Sequence, residues 1–260
     1  MPELTFSIYP ENQDASLDLF LRSMRSIQRF IQDVDYAVTR ERTQRRWIIA
    51  GLHSSAPTVA LRPLLGDLET IDVIGKGLRH IASGNDDPPE FFTEDALNDL
   101  KRMRPLFTGR DRAKHIMVSV DHTETAIIQD DISEKAQRIL VGGYHNLGSL
   151  EGDLDIINVH RTATFTVWDR ASRAPVRCYF PKSDEWIDKI KSVLQKRVVV
   201  RGVIRYFANG VPRTITDIVS VEDATPNHNL PPGDFGSIPD AEAARDPVAF
   251  LRVRRGFDKE

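Results

Sequence analysis

Apolar residues recur along this chain with two different periods, and the switches between them predict its elements. Alternation over Leu4–Tyr9 marks a strand with Leu4, Phe6 and Ile8 on one face. The spacing then becomes three and four. Leu17, Phe20, Leu21, Met24, Ile27, Ile31, Val34 and Val38 form one stripe of a long helix, with Arg22, Arg25 and Arg29 largely off it. Arg46–His53 and Pro57–Leu64 read as a hairpin turning at Ser54-Ser55-Ala56. Asp67 is placed to cap a second helix carrying Leu68, Ile71, Ile74, Leu78 and Ile81. Gly75 and Gly77 inside it each cost about 1 kcal/mol relative to alanine, so they mark close packing or a break. After the loop 84–89, Thr93 with Glu94 and Asp95 starts a third helix reaching Phe107. A second hairpin, His115–Val120 and Thr125–Gln129, turns around Asp121–Glu124. A helix over Ile132–Val141 ends at Gly142-Gly143, a domain boundary.

From 148 to 222 the order is three strands (150–159, 163–169, 174–180), a helix (183–194) and two strands (197–207, 212–221). That is the connectivity of a five-stranded Greek-key barrel of the OB type. Ser183 is placed to cap the helix, and Trp186, Ile190 and Leu194 share the face that plugs the barrel's end. The predicted fold is therefore α+β: an N-terminal mixed α+β domain over 1–143, an OB-like β-barrel over 144–222, and a flexible C-terminal tail over 223–260. The tail is rich in Pro, Gly and Asn as far as Asp240, and a possible docking helix, Asp246–Gly256, follows.

Composition narrows the chemistry. Of 260 residues, 40% are hydrophobic and 28% charged, with enough apolar material for two cores. No apolar run approaches bilayer length and the N-terminus lacks a signal-peptide pattern, which points to a cytoplasmic protein. The single cysteine, Cys178, excludes an internal disulfide framework and a cysteine-rich zinc site. The net charge of −3 is unevenly spread. Residues 1–144 carry −4 and the tail −2, whereas 145–222, with 12 Lys+Arg against 9 Asp+Glu, carries +3. The barrel is the one basic segment, as an anionic partner requires.

Strand parity divides the barrel residues. Phe165, Val167, Val176, Cys178, Phe180, Val198, Val200, Ile204 and Tyr206 point inward. The opposite parity carries Thr164, Thr166, Trp168, Arg177, Tyr179, Arg201, Arg205 and Phe207. Arginines beside aromatics suit single-stranded nucleic acid, through phosphate contacts and base stacking. Arg161, Trp168, Arg177, Tyr179, Arg201 and Arg205 are the candidates, and the competing reading is that this face packs on the first domain. Asp153 and Asp155, with His160 beyond, and the set Asp121, His122 and Glu124 are the only groupings that suggest a metal-dependent hydrolase; solvated surface and turn chemistry are the better explanations of them. No phosphate-binding glycine loop and no nucleophile elbow occur, so the sequence implies no cofactor and lends an enzymatic role no positive support. In the tail, Phe250 and Leu251 with Arg252, Arg254 and Arg255 form an anchor that can fold on a protein partner.

The segments Gly148-Ser-Leu-Glu-Gly-x-Leu154, Val176-Arg-Cys-Tyr-Phe180 and Arg197-Val-Val-Val-Arg-Gly202, followed by the proline-rich spacer and the arginine-bearing tail, resemble bacterial proteins with an OB-like C-terminal half that occur beside PIN-domain ribonuclease toxins. The resemblance covers about 110 residues. It implies a non-enzymatic, antitoxin-like protein that captures a partner nuclease through its tail, with self-association left open.

Overall fold

Leu4, Phe6 and Ile8 are fully buried because β1 (Leu4–Pro10) is the central strand of a five-stranded sheet. The computed structural model describes residues 2–12, 14–40, 47–53, 57–64, 69–160 and 162–225. Met1–Ala224 form one compact unit, and residues 226–260 lie outside the described residues. The first sheet runs β2-β3-β1-β4-β5, with β2 (Trp47–His53), β3 (Thr58–Pro63), β4 (Ala113–Val120) and β5 (Thr123–Ile128), every pair antiparallel. Helices α1 (Leu17–Thr39), α2 (Glu69–Ala82), α3 (Glu94–Lys101) and α4 (Ile132–Val141) complete its core.

Two helices depart from the periodic reading. In α1 the buried arc centres on Ile27, Phe30 and Val34, because the helix is packed by α2 and α3 as well as by the sheet; Leu17 and Leu21 are left 72% and 42% exposed. The third helix stops at Lys101 and passes into a 3₁₀ turn at Arg104–Leu106, where Pro105 has no N–H to continue the α-helical ladder. Helix α2 does not break at its glycines; they are close contacts, since a Cβ at Gly77 would lie 2.1 Å from the Phe92 ring. The predicted turn at 54–56 and the Asp67 cap lie outside the described residues.

The second half follows the predicted element order: β6 (Tyr144–Asn158), β7 (Thr164–Asp169), β8 (Pro175–Tyr179), α5 (Asp184–Ser192), β9 (Arg197–Tyr206) and β10 (Pro212–Asp223). Pairing runs β6-β7-β8-β10-β9 and returns to β6, which closes the five strands into a barrel. Only β8 and β10 are parallel. Phe165, Val167, Val176, Cys178, Phe180, Val198, Val200 and Ile204 fill its interior with Ile190 of α5, as parity requires. Phe207 is a correction: it is 3% exposed and belongs to the core of the first half, since β9 ends at Tyr206 and the chain turns there.

Gly152 lets β7 approach β6 closely. Gly152 is paired on both sides, to Asp169 and to Val198, where β6 passes between its two neighbours. A Cβ there would sit 2.1 Å from the Trp168 carbonyl oxygen and 2.5 Å from Val167 Cγ1. Gly152→Ala should therefore destabilise the fold by about 3 kcal/mol through overpacking. Gly148→Ala, whose Cβ has the Ile204 Cδ1 methyl at 3.3 Å as its nearest neighbour, should cost less than about 1 kcal/mol. Urea-unfolding midpoints of the two variants test this, and equal effects would contradict it.

Candidate functional site: the two faces of the barrel

The outer surface of the barrel has a covered side and a free side. The covered side is built by β7 and β8. Trp168, expected to face solvent, is 3% exposed: Tyr36 of α1 meets its ring edge-on at 5.3 Å, and the Arg40 guanidinium lies 4.9 Å from its centroid. Its Nε1–H donates to Asp155 Oδ2 at 3.4 Å, and the Tyr36 hydroxyl donates to the same oxygen at 3.4 Å. Thr166 is buried beside it. The ring a nucleic-acid base would stack on is thus occupied by the protein's own helix α1.

Arg177 is engaged on the same side. It forms a two-pronged ion pair with Asp95 in the first turn of α3, one prong at 2.9 Å, and has the half-buried Tyr179 hydroxyl beside it. One step along α3, Glu94 accepts from Arg213 of β10 at 2.7 Å, and Arg213 also donates to the Leu140 carbonyl that ends α4. Carboxylates favour the first turn of a helix because its backbone N–H groups are unpaired there. The acidic start of α3 is what the two barrel arginines bind.

Behind this pair stands a crowd of carboxyl groups that sequence reasoning missed. Asp33 of α1 lies against Asp95 and Asp99 of α3 and is hydrogen-bonded to Asp99, which also accepts from Arg102 at 3.3 Å. Burial, and then the charges of Asp95 and Asp99, push Asp33 up to about 7, while Arg177 opposes the shift. Burial raises Asp99 as well. Adjacent carboxyl groups resist ionising together, which favours a proton shared by the pair. The only signal in the sequence was an Asp between Ile31 and Val34, and another between Leu97 and Leu100, inside apolar stripes.

The free side is the outer face of β6, β9 and β10. His145 pairs with Arg205, Leu147 with Val203, and Ser149 with Arg201. Val203 pairs onward with Thr216 and Arg201 with Ser220. Arg201 is 59% exposed and faces Glu222 at 3.8 Å, while Arg205 has no carboxylate partner among the described residues. The structure therefore divides the six nucleic-acid candidates. Trp168, Arg177 and Tyr179 are on the covered side, Arg201 and Arg205 on the free side, and Arg161 lies outside the described residues. The tail residues Phe250, Leu251, Arg252, Arg254 and Arg255 also lie outside them.

The metal candidates have structural duties. Asp155 holds Tyr36 and Trp168. Asp121 and His122, both with positive φ, form the two-residue turn between β4 and β5, and Asp121 Oδ1 accepts from the Glu3 N–H at 2.8 Å. Among the described residues no three His, Cys, Asp or Glu side chains are arranged to hold a metal ion. Cys178 is fully buried, and burial pushes its thiol far above its usual range, so it is a core residue and not a nucleophile. No helix among the described residues is long and apolar enough to cross a membrane. No protein-family model, curated protein or solved structure matches the chain.

Two outcomes follow from the covered side. Arg177→Ala leaves Asp95 facing Asp33 and Asp99 without its counter-charge, and should lower stability by about 1 kcal/mol, since solvent screens a pair this exposed. A thermal midpoint unchanged by this substitution would contradict the coupling. Asp33 takes up a proton on folding, so its contribution is fully present below about pH 4 and is lost as pH rises through about 7. Urea midpoints should fall between pH 5 and pH 7.5, and Asp33→Asn should flatten that decline.

Proposed function

We propose that this chain is a non-enzymatic binding protein whose second half is an OB-like platform for a protein partner. One observation carries the reading: the aromatic and basic side of the barrel is occupied by α1 and α3, which leaves a free side of aliphatic residues flanked by arginines. Single-stranded nucleic acid draws affinity from stacking on exposed rings. A protein partner draws it from desolvated apolar side chains with charge at the rim. The strand order supports the OB-like assignment, because a closed 1-2-3-5-4 barrel with a helix between its third and fourth strands matches that architecture. Fold alone selects no partner.

The specific form of the reading is antitoxin-like capture of a nuclease, with Phe250, Leu251, Arg252, Arg254 and Arg255 as the tail anchor; the sequence resemblance supports it. The product of the neighbouring reading frame, co-expressed with the chain, should be captured in a pull-down, and removal of residues 240–260 should abolish the capture. Retention by the truncated chain would overturn the tail's role. A second reading, single-stranded nucleic-acid binding, is favoured by the unneutralised Arg205 and its neighbour Arg201. It requires binding of mixed oligonucleotides at low salt that weakens steeply as salt is added. The protein-partner reading expects none.

A further inference from the structure

We infer that the outer face of β6, β9 and β10 is a docking surface for an acidic protein segment that sets an aliphatic side chain between two carboxylates. The inference rests on the protein-partner reading and adds the partner's chemistry.

The surface is ordered in cross-strand rows. The central row is Leu147, Val203 and Thr216, and the rows on either side carry Arg205 with His145, and Arg201 with Ser149 and Ser220. Leu147 is 69% exposed. Val219, 68% exposed, stands in the bulge of β10 between the rows of Val203 and Arg201. Val203 joins these two into an aliphatic strip bracketed by cations. Arg201 and Arg205 are four residues apart on one strand face, about 13 Å at the rise of an extended chain.

Charge complementarity selects the occupant. Three other barrel arginines are neutralised within the fold: Arg177 by Asp95, Arg213 by Glu94, and Arg197 by Glu151. Arg201 meets Glu222 only at 3.8 Å, and Arg205 meets no carboxylate among the described residues. The nearby aromatic pair, Tyr144 and Tyr206, stacks on itself at 5.0 Å and has the opposite strand parity, so the one ring this face offers a base among the described residues is the His145 imidazole. An extended segment of pattern Glu-x-Leu-x-Glu repeats the spacing of Arg201, Val203 and Arg205. Its carboxylates fall about 13 Å apart, and its leucine reaches the aliphatic strip.

The full chain, isotope-labelled for NMR, is titrated with a capped Glu-Ser-Leu-Ser-Glu peptide, with Lys-Ser-Leu-Ser-Lys and with an oligothymidine. The acidic peptide should shift the amides of Leu147, Val203 and Arg205, and the basic peptide should not. Arg205→Glu and Leu147→Asp should each weaken binding at least tenfold, while Arg205→Lys keeps most of it. Both sites are exposed, so unchanged melting temperatures will show that the variants fold. Acidic-peptide shifts confined to another surface, binding indifferent to both substitutions, or preferential binding of the oligothymidine at this face would each overturn the proposal. Capture of the neighbouring-frame product that survives both substitutions would overturn this surface and leave the protein-partner reading standing.

Discussion

The contact between the β7–β8 face of the barrel and helices α1 and α3 governs the rest of the molecule. Each half has its own apolar core, and among the described residues Phe207, with the partly buried Val211, crosses from the barrel's segment into the other. Polar geometry sets the remainder of the seam. Trp168 inserts between Tyr36 and Arg40 with its N–H on Asp155, and two barrel arginines reach the first turn of α3. A helix N-terminus prefers negative charge, so Glu94 and Asp95 stabilise α3 and bind the barrel at once. The barrel's free side is what this docking leaves over.

The carboxyl crowd behind the seam is a cost that the seam itself relieves. Asp33, Asp95 and Asp99 resist ionising together at close range in a partly buried site, and the structure answers with the Arg177 counter-ion beside Asp95 and an Asp33 carboxyl held well above the usual carboxylate range. Ion pairs as exposed as Arg177–Asp95 contribute little net stability, because solvent screens their attraction. Their value here is directional. Arg177 has one place where its guanidinium meets a paired carboxylate, and any rotation of the barrel on α3 would leave Asp95 among like charges. The polar seam therefore fixes orientation, while the two apolar cores supply most of the folding free energy.

Legibility in the sequence followed the range of the interaction. Period and capping are local, so the barrel's strand order, the Ser183 cap and the inward set around Cys178 could all be read from spacing. Parity is local too, and it correctly turned Trp168 away from the barrel interior. Outward is not the same as exposed, however, and nothing near residue 168 reveals that Tyr36 will cover it. The Asp33–Asp99 pair is illegible for the same reason, since its members lie 66 positions apart on different helices. Gly77 shows an intermediate case. Its presence in a helix signalled a close approach, but only the fold names Phe92 as the neighbour.

The free side differs from a loop-borne site in how it is held. Strand β9 pairs with β6 over ten residues and with β10 along most of its length. Its alternate residues Val198, Val200 and Ile204 are buried in the barrel. Arg201, Val203 and Arg205 leave the same strand in the other direction, so the backbone that spaces them cannot shift without disturbing the core. Their side chains retain rotamer freedom, but the separation of their Cα atoms is set before any partner arrives. A surface of this kind avoids the cost of ordering its own backbone on binding. It discriminates by spacing: a partner whose carboxylates are closer together or further apart gains one ion pair and leaves the other arginine in solvent.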